Sequence, residues 1–467
     1  MAISIKPNKQ LGLFSLVMIN VIAIDNLRSL TIGATFGFSM VFFYLLAAVL
    51  FFIPTILVSA ELATGWPSTG GVYVWVREAF GKRMGFLTIW LQWIYNVVWY
   101  PTIFAFVAGI AAYLINPSLI ESKTFMLTAI LSLYWFMTFL NLKGIRVSSL
   151  VSIVGAILGT IIPMLLIAFL GFYWLYQGNF SNVEISFNSL IPKFNSYGEL
   201  AFFTNIVFGL MGIEMSAVHA GDVKNPKKNY PKALFISAGI ILVSLIASCL
   251  AITIVIPKDK VNLVSGLIEA FKIFFAAYDL LWLVPVIAGL IVLGSLSSAA
   301  TWILGSARGL LVASKDINLP ELITKQNKNN VPQGILIVQG LLVTLISCVF
   351  FLMPNVASSY WILSNLTAML ALIFYILMFV AAIRLRYKYS KVERSFKIPG
   401  GNFGIWFVCL TGIFTCVAVI ILGLVPPEQI YVGSTIKYDS LLILGIVTCI
   451  LIPFAFGTKL STKLKTT

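Results

Sequence analysis

One apolar stretch of the sequence carries residues that a helix buried in lipid does not need. Residues 203–220 read F-T-N-I-V-F-G-L-M-G-I-E-M-S-A-V-H-A and include Gly209, Gly212, Glu214 and the only histidine, His219. An ionisable side chain at bilayer depth is costly and usually functional. Glycine lets the backbone leave helical geometry, and irregular backbone at that depth is tolerated only where it lines an enclosed or watery cavity. We therefore interpret this stretch as half of a ligand-binding site.

A second stretch near the N-terminus has the same character. Residues 15–31 read S-L-V-M-I-N-V-I-A-I-D-N-L-R-S-L-T, so that Asn20, Asp25, Asn26 and Arg28 interrupt an apolar run. Asp25 and Arg28 are three residues apart and would share one face of a helix. Two interpretations stay open. The two charges form an internal ion pair that only orders the helix, or at least one of them faces a ligand.

Composition decides the class of protein that positions these residues. Of the 467 residues, 60% are hydrophobic and only 10% are charged, and the mean hydropathy is +1.00. This composition indicates an all-α protein that crosses the membrane many times. Segments of about 20 apolar residues, enough to span a bilayer, predict twelve spans. We number them 1 to 12, at roughly 11–34, 38–60, 84–115, 124–141, 147–176, 198–220, 233–256, 281–313, 333–353, 358–386, 403–424 and 440–458.

The two polar stretches are spans 1 and 6, so they begin five spans apart. Interrupted spans at matching positions of two halves are the best sequence indication of an inverted-repeat transporter. The ligand site would then lie where the two broken helices meet. Free backbone amides at half-helix N-termini there can hold a carboxylate.

The net charge of +15 indicates orientation in the membrane rather than a nucleic-acid partner. With both termini in the cytoplasm, most of the 31 basic residues fall in cytoplasmic loops, as the positive-inside rule requires. The five cysteines lie inside apolar spans without metal-ligand or disulfide spacing, and we interpret them as packing residues. The first apolar run lacks a signal-peptidase site and is predicted to be a retained span.

Further polar residues are candidates for the site or its gates. Glu61, at the end of span 2, either contacts an arginine of a cytoplasmic gate or is a solvated carboxylate. The segment after it, V-Y-V-W-V-R-E-A-F, is predicted to restart as an interfacial helix. Asn96 in span 3 needs a partner, which is another helix or a ligand. Ser297 and Ser298 in span 8 either bond back to their own helix or face span 1, where hydroxyls could coordinate an ion.

Other functional classes lack their usual signatures. The sequence contains no nucleotide-binding G-x-x-x-x-G-K-[ST] loop, no H-E-x-x-H pair and no G-x-S-x-G elbow. One histidine cannot form a metal cluster, and we expect His219 to pack or bond locally rather than to sense pH. We therefore expect a secondary transporter without cofactor or metal, not an enzyme.

Several motifs resemble one family of transporters over nearly the whole chain. The segment E-L-A-T-G-W-P-S-T-G-G-V-Y-V-W-V-R-E-A-F-G (61–81) resembles the second helix and first loop of the amino acid–polyamine–organocation superfamily. The resemblance is closest to the glutamate:γ-aminobutyrate antiporter family. It continues through G-L-M-G-I-E-M-S-A-V-H (209–219), N-P-K-K-N-Y-P-K-A (225–233), T-W-I-L-G-S-A-R-G (301–309), N-N-V-P (329–332) and S-F-K-I-P-G-G (395–401).

The resemblance implies a leucine-transporter-type fold in a single domain, with amino acids exchanged by alternating access. Two inverted five-helix repeats, at about 11–176 and 198–386, would be followed by two further helices at about 403–458. Carried over to this chain, the resemblance implies that Ala23, Ile24, Asp25 and Asn26 contact the substrate backbone. It implies that Asn96 and Trp302 contact the substrate side chain and that Phe208 is a gating aromatic. It further implies that Gly209 to Gly212 are unwound and that Glu214 is a gating or proton-coupled carboxylate.

The chain also departs from the family pattern. The first-helix break N-V-I-A-I-D-N-L-R contains no glycine, and Asp25 adds a charge that would favour an amino group. Arg28 is the natural counter-ion for an acidic substrate side chain, or a residue of the outer gate. The sequence stops at Thr467, without the long tail that plugs the pore of acid-resistance antiporters. Nutrient uptake is therefore the expected role.

These observations together predict an amino-acid exchanger of a bacterial inner membrane, with glutamate-like or related substrates. A proton- or sodium-coupled symporter on the same fold is the first alternative. A membrane sensor that binds amino acids without moving them is the second, and its short loops leave little surface for a signalling partner. We expect an amino-acid substrate and the lipid bilayer as partners and no nucleic acid. A homodimer is left open.

Overall fold

The computed structural model describes residues 12–67, 70–144, 155, 157–192, 200–314, 317 and 319–463. Side chains are described throughout these ranges except at 218–222, 226–227 and 455–463. The expectation for the His219 side chain therefore lies outside the described residues.

Helices occupy all twelve predicted span positions, as expected for an all-α membrane protein. Within the described ranges, ten uninterrupted helices are long and apolar enough to cross a membrane. Spans 1 and 6 are the two that are broken. The uninterrupted spans 2 to 5 and 7 to 12 are Gly37–Gly65, Lys82–Ile115, Lys123–Leu142, Ile157–Tyr176, Pro226–Val255, Leu283–Ser314, Gln333–Leu352, Val356–Lys388, Gly401–Gly423 and Thr435–Lys463.

Span 1 consists of two helices, Leu13–Ile24 and Leu27–Ala34, with a bend of 42° between them. Asp25 and Asn26 are extended at the break. The side chain of Asn26 accepts a hydrogen bond of 3.0 Å from the Ser29 amide, which caps the second half-helix. A capping asparagine thus supports the break where the sequence has no glycine, and the predicted unwinding is confirmed.

Span 6 breaks where its glycines predicted. The helix Phe203–Gly209 ends before Leu210, and a 3-10 helix, Ile213–Asp222, begins after Gly212. Gly212 has φ of +118°, a conformation that side-chain-bearing residues rarely adopt. The unwound segment is therefore contained in residues 209–212.

The two breaks lie against one another. A Cβ atom built on Gly212 would lie 3.7 Å from the Ala23 carbonyl oxygen and 3.4 Å from the Ile24 side chain. One built on Gly209 would lie 3.6 Å from the Ser29 hydroxyl. The two half-helices are in ordinary van der Waals contact there, so the positive φ of Gly212, rather than lack of space, favours glycine.

Span 3 is the central element beside the breaks, and it packs against spans 8 and 10. Buried polar bonds fix it to its neighbours. Trp93 Nε1 donates to Gln339 Oε1 of span 9 at 2.8 Å, and Gln339 Nε2 donates to the Tyr134 hydroxyl of span 4 at 3.2 Å. A buried network in which these polar groups have hydrogen-bond partners is rigid, so it holds spans 3, 4 and 9 together.

Among the described residues, two helices outside the spans are longer than five residues. The predicted helix after span 2 is Gly71–Phe80, which we call the loop helix. It packs against spans 3 and 10 and buries Trp75 and Val76, so it lies within the protein rather than flat on the interface. The amphipathic helix Gly266–Ala277, between spans 7 and 8, was not predicted.

Candidate functional site

A cavity of about 780 Å³ lies beside the meeting point of the two breaks. Its volume is within the range of roughly 300–1,000 Å³ that is usual for small-molecule sites. Most of the predicted site residues line it, namely Ala23, Asp25, Asn26, Arg28, Asn96, Ser297, Ser298 and Trp302. Ile24, Phe208, Gly209, Gly212 and Glu214 are not among the lining residues.

Asp25 brings a negative charge to the cavity from the extended segment of span 1. Its carboxylate accepts hydrogen bonds of 3.1 and 3.3 Å from the Ser244 hydroxyl of span 7. The residue is buried, and none of the described residues forms an ion pair with it. A buried carboxylate held only by a hydroxyl is suited to receive an ammonium group.

Arg28 brings a positive charge to the cavity and is 1% exposed. Its Nη1 donates to the Thr102 and Ser364 hydroxyls, each at 3.1 Å. Its guanidinium carbon lies 5.5 Å from the ring centre of Phe208 and 5.8 Å from that of Tyr360. Arg28 has no ion pair with any described residue. The internal Asp25–Arg28 pair, one of the two interpretations left open, is therefore not formed.

Arg28 lines the cavity, and Phe208 packs against its guanidinium without lining the cavity itself. Phe208 lies in the helix before the break of span 6, and Arg28 in the half-helix after the break of span 1. Their cation–π contact joins the two broken spans. Thr102 of span 3 and Ser364 of span 10 hold the guanidinium in place from the other side.

Spans 3 and 8 form the opposite wall. Asn96 donates from Nδ2 to the Gln92 carbonyl at 2.7 Å, and Gln92 Nε2 contacts the Met215 sulfur of span 6 at 2.8 Å. Trp302 lies across the cavity on span 8. The partner of the Asn96 amide group is therefore its own helix, while its side chain lines the cavity.

Ser297 and Ser298 line the cavity, and neither hydroxyl has a hydrogen-bond partner among the described residues. The alternative of bonds back to their own helix is not realised. No group of three or more metal-ligating side chains occurs in the described ranges. The two serines thus offer hydroxyl groups to the cavity.

Glu214 lies behind the cavity in the second half of span 6 and is buried. The Tyr375 hydroxyl of span 10 donates to Glu214 Oε2 at 2.6 Å and accepts from the Gly212 amide at 2.7 Å. One hydroxyl thereby joins the glycine break, the carboxylate and span 10. Sequence reasoning missed Tyr375, and the signal that could have found it is a tyrosine hydroxyl in a buried span, which needs a partner.

Glu61 is 2% exposed and has two arginine partners. Its Oε1 lies 3.0 Å from Arg386 Nη1 and 3.6 Å from Arg394 Nε, and its Oε2 accepts from the Ile398 amide at 2.9 Å. Burial lowers the pKa of the Arg394 guanidinium, and the Glu61 charge opposes that shift. The solvated-carboxylate alternative is wrong, because Glu61 is buried and fastens the loop after span 10 to the end of span 2.

Comparison with known proteins supplies the family. The model of the family described as amino acid permease matches residues 10–449. The chain belongs to the amino acid permease family. This family is part of the superfamily that the sequence motifs resembled.

Individual relatives are similar over nearly the whole chain. A protein named an uncharacterized transporter of Legionella pneumophila is 50% identical over 452 residues, covering 97% of each chain. A glutamate/γ-aminobutyrate antiporter of Lactococcus lactis is 29% identical over 453 residues, covering 96% of this chain and 90% of its own. A probable agmatine/putrescine antiporter of the same species is 25% identical, covering 84% of this chain and 83% of its own.

Family membership confirms that this permease is a membrane transporter and not an enzyme.

Proposed function

We propose that this permease exchanges amino acids across a bacterial inner membrane by alternating access. The observation that carries the proposal is the pair of charges at the first break. Asp25 and Arg28 line one cavity, and their partners are hydroxyl groups rather than each other. An amino acid bears one ammonium and at least one carboxylate, so it supplies a counter-ion to each.

In this proposal the two broken spans hold the backbone of the substrate. Asp25 receives the α-amino group, and the extended Ala23–Asn26 segment surrounds the α-carbon. Asn96 and Trp302 shape the pocket for the side chain, and Phe208 acts on it through its contact with Arg28. Gly209 and Gly212 flank the unwound segment of span 6. The orientation with both termini in the cytoplasm follows from the basic loops and is part of the same proposal.

Glutamate and related amino acids are the favoured substrates. Arg28 is buried without a counter-charge, and leaving a guanidinium in that state is unfavourable. A carboxylate on the substrate side chain relieves this cost. The relative from Lactococcus lactis with the name glutamate/γ-aminobutyrate antiporter is consistent with that choice.

Counterflow in proteoliposomes tests the proposal. Vesicles are loaded separately with each common amino acid or with γ-aminobutyrate, and entry of labelled glutamate is followed. Entry only into loaded vesicles is the expected result. Entry into unloaded vesicles under a proton or sodium gradient would instead establish a symporter, with Ser297 and Ser298 as candidate ion ligands. Binding without entry under any load would establish the sensor.

Glu214 has the proposed role of coupling protonation or substrate occupancy to closure of the cavity. It is joined through Tyr375 to the amide at the break of span 6, so a change of its charge reaches the moving backbone. Glu214→Gln is expected to flatten the dependence of the exchange rate on pH, measured by counterflow between acidic and neutral pH. An unchanged profile would make Glu214 a structural residue.

A further inference from the structure

More positively than negatively charged side chains line the cavity. Four charged side chains line it in the described residues, and three of them are arginines: Arg28, Arg77 and Arg308, beside the single acid Asp25. A cleft lined by charges of one sign, with walls of low dielectric constant, concentrates ligands of the opposite sign. The whole cavity therefore favours anions.

Two of the three arginines lie at the same depth. A Cβ built on Gly85 of span 3 would lie 2.9 Å from Arg77 Cβ, and one built on Gly309, next to Arg308, would lie 3.3 Å from Ile89 Cδ1. Gly85 and Ile89 are one helical turn apart on span 3. Arg77 of the loop helix and Arg308 of span 8 are therefore neighbours in depth, near the Lys82 end of span 3.

Arg28 lies far from this pair along the same helix. Its guanidinium bonds to Thr102, which is thirteen residues beyond Ile89 in span 3. At 1.5 Å per residue this corresponds to about 20 Å along the helix axis. The cavity thus has positive charge at two separate levels.

The two levels differ in their access to water. Arg28 is buried, whereas Arg308 is exposed and the Arg77 side chain is 33% exposed. We call the region of Arg77 and Arg308 the mouth. Arg77 is paired with Glu78 at 3.3 Å and lies over the Tyr73 ring. Arg308 has no ion pair with any described residue, so within the described part of the chain it is the cation of the mouth without a paired carboxylate.

We propose that Arg308, assisted by Arg77, forms a second carboxylate-binding subsite at the mouth, separate from the Arg28 level. An anionic amino acid binds there first through a carboxylate and then moves inward to Asp25 and Arg28. The subsite rests on the proposed transport function and adds a second site to it. Because its arginines are hydrated, binding there is weak and sensitive to salt.

The subsite predicts a difference between two substrates of nearly equal shape. Glutamate carries a net negative charge at neutral pH, whereas glutamine is a neutral zwitterion. The mouth attracts glutamate and not glutamine. Removal of the Arg308 charge is therefore expected to raise the KM of glutamate more than the KM of glutamine. The effect appears only for uptake from the mouth side, which carries Lys82 and Arg83.

The test compares Arg308→Gln with the wild type and with Lys325→Gln. Lys325 is an exposed lysine outside the cavity, on the loop that follows span 8, and controls for loss of one positive charge. Exchange of glutamate and glutamine is measured in inside-out and right-side-out vesicles at low and high salt. We expect Arg308→Gln to raise the ratio of glutamate KM to glutamine KM about fivefold from the mouth side at low salt. Lys325→Gln leaves the ratio at the wild-type value, and high salt reduces the difference.

Arg308→Lys keeps the charge and is expected to retain most of the wild-type ratio, which separates electrostatic attraction from packing. An unchanged ratio in a transporting Arg308→Gln protein, or an equal effect from both membrane sides, overturns the subsite while the transport function stands. If the wild type moves neither amino acid, the proposed transport function fails. The subsite is then tested by stabilisation of the purified protein against heat. Stabilisation by glutamate that Arg308→Gln does not weaken overturns it.

Discussion

At the scale of single residues, the Tyr375 hydroxyl has the most connected position in the site. It donates a hydrogen bond to Glu214 and accepts one from the Gly212 amide. Tyr375 and Glu214 are buried, and Gly212 is partly buried. A buried donor or acceptor that loses its partner costs about 1–3 kcal/mol. Tyr375 therefore satisfies two groups at once, at the point where span 6 is unwound.

Tyr375→Phe is predicted to lower the exchange rate strongly and to reduce thermal stability. The phenyl ring keeps its edge contacts with Phe51 and Phe374, but Glu214 and the Gly212 amide lose a partner. The expected loss of stability is about 1–3 kcal/mol, measured by thermal denaturation in detergent beside counterflow. Tyr176→Phe, which removes the hydroxyl of an exposed tyrosine, is the control. Equal behaviour of the two variants would contradict the role of Tyr375.

The residues of the site were predictable where they were unusual for their surroundings. Asp25, Arg28 and Glu214 stand out because a charge inside an apolar span is rare. Tyr375 and Ser244 do not stand out, since hydroxyl side chains are common in apolar helices. Their partners lie 161 and 219 residues away in the sequence. Only the folded chain shows which hydroxyl meets which carboxylate.

At the scale of elements, Glu61 joins three pieces of the chain. It lies in span 2, Arg386 lies in span 10, and Arg394 and Ile398 belong to the loop between spans 10 and 11. Arg386 also donates to the Ile398 and Gly401 carbonyls. The loop is therefore held by charge-assisted bonds at both its start and its end.

Glu61→Gln is predicted to destabilise the protein by about 3–5 kcal/mol, because it leaves two buried guanidinium groups without their counter-charge. Glu78→Gln is the matched control. Glu78 also pairs with an arginine, at 3.3 Å, but both side chains are about one-third exposed, and such pairs contribute roughly 1 kcal/mol or less. Thermal denaturation of the two purified variants measures the difference. A Glu61→Gln protein as stable as Glu78→Gln would show that the ion pairs of Glu61 with Arg386 and Arg394 do not stabilise the fold.

The helices were predicted from the sequence more accurately than the contacts between them. Hydropathy predicted the positions of the spans, and the glycines predicted the break of span 6, because both features can be read from residues that are neighbours in the sequence. The break of span 1, which has no glycine, was predicted from its polar residues and from the resemblance, and the structure shows its local support in the cap by Asn26. The helix Gly266–Ala277 was missed because it is too short and too amphipathic to resemble a span.

At the scale of the whole molecule, the cavity is open at one end and closed at the other. The closed end is formed by Arg28 with Thr102, Ser364, Phe208 and Tyr360. The open end is the mouth at Arg77 and Arg308. In the proposed alternating-access cycle these two ends exchange roles in a second state, and the structure would be the state open toward the loops rich in basic residues.

This one-sided opening predicts the reactivity of a cysteine placed in the cavity. Ser298 lines the cavity, and Ser298→Cys is made in a protein whose five native cysteines are replaced. A membrane-impermeant thiol reagent is expected to label it in inside-out vesicles, and a transported amino acid should slow the labelling.

Lys325→Cys, in the loop after span 8, is the control that reacts from the same side without protection. Glu428→Cys, between spans 11 and 12, should react only in right-side-out vesicles. Labelling of Ser298→Cys only from the outer side would show that the mouth faces away from the cytoplasm and reverse the proposed orientation of the cavity.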